Sequence, residues 1–132
     1  MTPLDVAQAF VDRINAQDVD GLVALMAQDH RFIDSLGQVI TGRETMRGGW
    51  RGYFGMVQGY RLVPELWLCD GPTVVMLGTA GGTYSPEGAL GSGREWSCPA
   101  ACRALVSGQM VEEWRVYADN EPLRQLMRGS AQ

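Results

Sequence analysis

The stretch His30-Arg31-Phe32-Ile33-Asp34-Ser35-Leu36-Gly37-Gln38-Val39-Ile40-Thr41-Gly42 decides how the rest of the chain reads. It begins as a short apolar strand that carries one carboxylate, Asp34. Leu36-Gly37 then marks a tight turn, and helical spacing starts after Gly42. The segment before this stretch reads as two helices. The segment after it reads as a helix followed by a curled sheet.

Upstream, Thr2 is a helix cap, Pro3 suits the first helical position and Asp5 complements the dipole. Val6, Phe10, Val11 and Ile14 form the apolar stripe of that helix. Asn15-Ala16-Gln17 breaks it, and Asp18 caps a second, short helix with Leu22, Val23, Leu25 and Met26 inside. Two amphipathic helices back to back need a common surface to cover.

Downstream, Met46, Trp50, Tyr53, Phe54 and Val57 recur at helical spacing and predict a third helix from about Arg43 to Met56. Gly48, Gly49, Gly52 and Gly55 weaken it, which points to close packing or to a helix that moves. From Gly59 the period becomes two: Tyr60, Leu62, Pro64, Leu66 and Leu68 alternate with Arg61, Val63, Glu65, Trp67 and Cys69. Asp70-Gly71-Pro72 turns the chain into a strand over 73–84. A connection at 85–93, a strand from Glu95 to Val106, a turn at Ser107-Gly108 and a return over 109–118 complete the sheet. Residues 120–127 read as a terminal helix. Three helices and four hairpin-joined strands make a single α+β domain over residues 1–132.

Composition excludes several classes. With 45% hydrophobic and 20% charged residues in 132, the chain is globular and has one core. The net charge is −4 and the eleven basic residues form no run, which argues against nucleic acid as a partner. No stretch approaches a membrane span or a signal peptide, so no membrane partner and a cytoplasmic location are expected. Cys98 and Cys102 lie four apart on a strand, about 13 Å, too far for a disulfide. With His30 the sole histidine, no metal site and no cofactor are expected, and the cysteines read as reduced, buried thiols.

The strands carry many small residues: Gly78, Ala80, Gly81, Gly82, Ala100, Ala101 and Ala104. Small residues on the inner face of a curled sheet leave a ligand-sized cavity. Gly81-Gly82 is equally readable as a bulge or bend. Trp96, Cys98, Ala100 and Cys102 share one face of their strand, and Trp114 and Val116 share one on the last strand. Glu113 and Arg115 then point outward.

The order of elements resembles the SnoaL-like, nuclear-transport-factor-2-like superfamily. Ile14 to Ala27 is similar to the Asn-Ala-x-Asp-x-Asp-Gly helix junction of bacterial ketosteroid isomerases, and His30 to Gly37 to the strand that ends in their general base. Trp114 to Asp119 resembles the last strand of limonene-epoxide-hydrolase-like members. The resemblance implies a cone-shaped, curled antiparallel sheet covered by three helices. It also implies a homodimer built on the outer sheet face, and it places the base on Asp34. The isomerases' oxyanion donors, a helix-one tyrosine and a strand acid, fall on Phe10 and near Cys102. The epoxide-hydrolase aspartate falls on Val116, and its partners fall near Thr79 and Gly81. Neither apparatus is complete here.

The expected site therefore has Asp34 as general base in an apolar hollow. Phe10, Ile14, Trp50, Tyr53, Phe54, Met76, Trp96, Cys98, Ala100, Trp114 and Val116 are the expected walls. Trp50, Tyr53, Trp96 and Trp114 are the candidate donors for a developing oxyanion. In the competing reading Asp34 only caps its own turn. His30 reads as a partly exposed residue at the strand start. Three functions follow: a cofactor-free isomerase, cyclase or hydrolase acting on a small hydrophobic carbonyl compound; a module that binds a small apolar molecule without chemistry; or a dimerisation scaffold.

Overall fold

The computed structural model describes residues 1–86 and 94–130, so most of the expected connection at 85–93 lies outside the described residues. Helix α1 spans Pro3–Asn15 and α2 spans Val19–Ala24. Strands β1 (Met26–Ile33) and β2 (Val39–Thr41) follow, then α3 (Arg43–Met56), β3 (Val57–Asp70), β4 (Thr73–Tyr84), β5 (Glu95–Ser107), β6 (Met110–Ala118) and α4 (Glu121–Ser130). The fold is α+β, with helices against a curled six-stranded sheet of order β2-β1-β6-β5-β4-β3.

The caps form as the sequence requires. Thr2 Oγ1 accepts from the Asp5 N–H at 3.1 Å, and an Asp5 carboxylate oxygen accepts from the Thr2 N–H at 2.9 Å, a reciprocal capping box. Asp18 accepts from the Gly21 N–H at 2.9 Å and starts α2. The junction between these helices is tied to the sheet. The Asn15 side-chain amide donates to the Leu62 carbonyl at 2.9 Å and accepts from the Leu62 N–H at 2.8 Å, and Gln17 donates to the Tyr60 carbonyl at 2.9 Å. These two side chains do for β3 what a neighbouring strand would do, and they fix the height at which α1 crosses the sheet.

Four features differ from the expectation. The sheet is mixed, because β1 pairs in parallel with β6. β2 is an added strand inside the opening stretch, with Arg31 opposite Thr41 and Ile33 opposite Val39. Strand β1 starts at Met26, so Met26 belongs to the sheet and His30 lies mid-strand, fully buried, rather than partly exposed at a strand start. The pairing of β3 with β4 slips between Pro64 and Leu66, so Leu66 faces out opposite Leu77 and Leu68 faces out opposite Val75. A bulge at Glu65 reverses the parity that unbroken alternation assumed.

The glycines and alanines of the strands separate into two jobs. A Cβ on Gly78 would stand 2.0 Å from the Val63 carbonyl oxygen, on Gly81 2.6 Å from the Trp96 carbonyl oxygen, and on Gly82 2.6 Å from Val57 Cγ1. These glycines let strands approach closely and leave no space for a ligand. The space is left by the alanines.

His30 sets an acid limit on stability. Its Nδ1 lies 2.7 Å from the Val111 carbonyl oxygen, which can only accept, so Nδ1 carries the proton and the buried Nε2 has no partner among the described residues. Burial lowers the imidazole pKa below its ordinary 6.5, with the Val111 bond opposing in part. Below pH 6.5 the unfolded chain then binds more protons than the folded one, and stability falls as pH drops. At the other end burial pushes the Cys102 thiol from 9.0 up to about 12, so stability falls as pH rises through that window. The melting temperature should be highest between these limits. His30→Gln should flatten the acid limb, and a level melting temperature for the unaltered protein from pH 6.5 to 5.5 would contradict this account.

Candidate functional site

A cavity of about 280 Å³ opens between the inner face of the sheet and α3. Helix α3 supplies Met46, Gly49, Trp50 and Tyr53 to it, β3 supplies Tyr60 and Leu62, and β1 and β2 supply Phe32 and Ile40. Ala80, Ala100, Val116 and Ala118 line it from β4, β5 and β6. Asp34, Ser35 and Asn120 add polar groups at the ends of β1 and β6.

Of the expected residues, Asp34, Trp50, Tyr53, Ala100 and Val116 meet at this cavity. Phe10, Ile14, Phe54, Met76, Trp96, Cys98 and Trp114 belong to the buried core and are not among its lining residues. The physical reason is α1. Phe10 is fully buried with its ring 4.6 Å from that of Trp114, so helix and sheet close on each other there and no space remains. Inward parity identifies the inner face but not the part of it that helices fill.

Asp34 caps its own turn and also lines the cavity. Its Oδ1 accepts from the Leu36 and Gln38 N–H groups, each at 2.9 Å, while its own N–H donates to the Gln38 carbonyl at 3.0 Å. Gly37, at φ +83°, supplies the left-handed residue that this turn needs. The second oxygen, Oδ2, makes no hydrogen bond to a described residue. Asp34 is therefore held by its turn while it lines the cavity. Asn120 donates to Ser35 Oγ at 3.0 Å and joins the start of α4 to the same turn.

The donor set differs from the expected one. The indole nitrogens of Trp50 and Trp96 are buried and unpartnered among the described residues, so neither N–H is presented to a ligand. Tyr53 and Tyr60 line the cavity together, with rings 5.0 Å apart and nearly perpendicular. Neither hydroxyl bonds to a described residue. Burial raises the pKa of both phenols, with Cys98 adding to Tyr53 and Tyr53 adding to Tyr60, so both remain O–H donors at neutral pH. Tyr60 was legible as a lone phenol in an apolar alternation, and Phe32 as the residue two before Asp34. Ser35 and Asn120 come together only through the parallel β1–β6 pair, which has no local signal.

The sequence pattern of the SnoaL-like domain matches residues 7–119. The chain belongs to this SnoaL-like family. No curated protein matches it. Among solved structures, a SnoaL-like protein of Shewanella denitrificans to which polyketide cyclase activity is ascribed shares 17% identity at a TM-score of 0.82, over 96% of this chain and 97% of the other. One of Xanthomonas campestris with the same ascription shares 18% identity at 0.80, over 94% and 96%. A protein of Catenulispora acidiphila with a ketosteroid isomerase-like fold, solved with trimethylamine, shares 20% at 0.75, over 89% and 86%. At these identities the likeness concerns the fold. Among the described residues of this SnoaL-like chain, no helix is long and apolar enough to cross a membrane.

Proposed function

We propose that this cavity binds a small, mostly apolar carbonyl compound and that Asp34 moves a proton on it. The observation that carries the reading is one carboxylate, with Oδ1 tied down and Oδ2 unbonded, lining the same apolar cavity as two phenol donors. Asp34 Oδ2 takes a proton from the carbon next to the carbonyl. The electron pair moves onto the carbonyl oxygen, and a Tyr53 or Tyr60 O–H stabilises the enolate. Where a double bond extends the enolate, return of the proton from Asp34 to the far carbon gives an isomerisation; attack of the carbanion on a second carbonyl of the same molecule, with the Asp34 proton passing to the new alkoxide, gives a cyclisation. The polyketide cyclase activity ascribed to proteins of this fold is of the second kind.

The test is hydrogen–deuterium exchange of one- and two-ring cyclic ketones in D₂O, followed by NMR. Exchange about 10²–10⁴-fold above buffer is expected. A panel with no member above the buffer rate would overturn the catalytic reading. It would leave the binding module, which the use of Asp34 Oδ1 in its own turn and the apolar residue at Phe10 favour.

The outer sheet face supports pairing of two copies. Val63, Leu66, Leu68, Leu77 and Tyr117 are exposed on it. Beside them Glu113 binds Arg103 at 2.9 Å and Arg31 at 3.3 Å. An apolar patch rimmed by charge is the usual surface of an interface. A solution mass near twice 14.4 kDa is expected, and a monomer would refute the pairing.

A further inference from the structure

We infer that the cavity is a flat slot for a planar molecule of about two fused six-membered rings bearing an oxygen that Tyr53 or Tyr60 can meet. The inference rests on the reading of this cavity as a ligand site and adds its shape.

Three neighbouring strands make the floor. Ala80 on β4, Ala100 on β5 and Ala118 on β6 all line the cavity, and the register sets Ala100 opposite Ala118 on one side and Gly78 on the other. Each presents a single methyl, so together they form a level surface rather than the knobs that Leu or Ile would raise. Trp50 and Tyr53 come from α3, which packs over β1 and β3, and Tyr60 comes from β3. The three rings stand 5.0–6.5 Å apart by centroid and give the slot an aromatic wall.

Two further observations point to an occupant. Tyr60 is 8% exposed and lines the cavity, and its hydroxyl makes no bond to a described residue. A ligand oxygen can take up the bond that this hydroxyl leaves open. The volume then sets the size. About 280 Å³ compares with about 150 Å³ for an engineered cavity that takes one benzene. That is room for about two rings and not for the four of a steroid. Asp34 is the sole charged residue among the lining residues, so an anionic ligand is disfavoured.

Calorimetric titration of the full-length protein with phenol, 2-naphthol and estradiol tests the slot. 2-Naphthol should bind about tenfold or more tighter than phenol, through the extra apolar ring buried, and tighter than estradiol. Ala100→Leu should weaken 2-naphthol about tenfold and phenol less, and Ala118→Val should show the same order if Ala100→Leu fails to fold. Tighter binding of estradiol than of 2-naphthol would overturn the inference, as would binding of none of the three or no change in either folded variant. The catalytic reading fails separately. A protein that prefers 2-naphthol but exchanges no ketone keeps the slot and loses the base, and one that exchanges ketones but prefers estradiol does the reverse.

Discussion

Asp34→Asn is expected to lower ketone exchange by about 10²–10⁴-fold while leaving the melting temperature within about a degree or two of the parent. The reason lies in the division of labour between the two carboxylate oxygens. Oδ1 accepts the Leu36 and Gln38 N–H groups at 2.9 Å each and closes the turn after β1. The carbonyl oxygen of Asn can take that place, so the turn and the adjoining β2 survive. Oδ2 becomes an NH₂ group, which cannot accept a proton from carbon. Asp34→Ala removes both oxygens, leaves two backbone donors to find water, and should cost about 1–2 kcal/mol of stability as well as activity. The pair of variants separates the two roles: activity is lost in both, stability in the second alone. Full exchange activity in Asp34→Asn would place the proton transfer elsewhere or nowhere in this cavity.

The legibility of the fold and the site follows a physical division between local and non-local signals. The capping box at Thr2 and Asp5, the Asp18 cap, the α3 stripe and the strand–turn character around Asp34 are encoded within a few residues, and each formed where the pattern put it. The bulge at Glu65 is not encoded in alternation: Leu66 and Leu68 are apolar and fit an inner face by period, yet they face out. The parallel pairing of β1 with β6 joins residues more than eighty apart, and it turned His30 from a presumed strand start into a buried core residue. The same limit governed the site. Asp34, Trp50, Tyr53, Ala100 and Val116 were legible from parity and resemblance. Phe10 and Trp114 were misplaced as walls because parity does not tell where a helix presses onto a sheet.

The glycines of α3 give the second large expected effect. A Cβ on Gly48, Gly52 or Gly55 would meet nothing within 4 Å, all three are exposed, and none has a positive φ. Close packing against this chain therefore does not explain them. Each substitution to Ala should gain up to about 1 kcal/mol of helix propensity, somewhat less at Gly55, next to the helix end. The three lie at i, i+4 and i+7 on the solvent face, where added methyls do not compete. The combined variant Gly48→Ala, Gly52→Ala, Gly55→Ala should gain about 2–3 kcal/mol, or about 6–12 °C in melting temperature for a chain of this size. Gly78→Ala serves as the opposite control, because its methyl would stand 2.0 Å from the Val63 carbonyl oxygen and drive β3 from β4. Since α3 also carries Met46, Trp50 and Tyr53 into the cavity, the stabilised variant bears on ligand access too. Unchanged affinity for 2-naphthol with a slower association rate would show that the glycine-rich face lets the helix yield when a ligand enters. A triple variant less stable than the parent would mean that this open face is covered by another copy in solution, and the glycines would then be packing residues of an assembly.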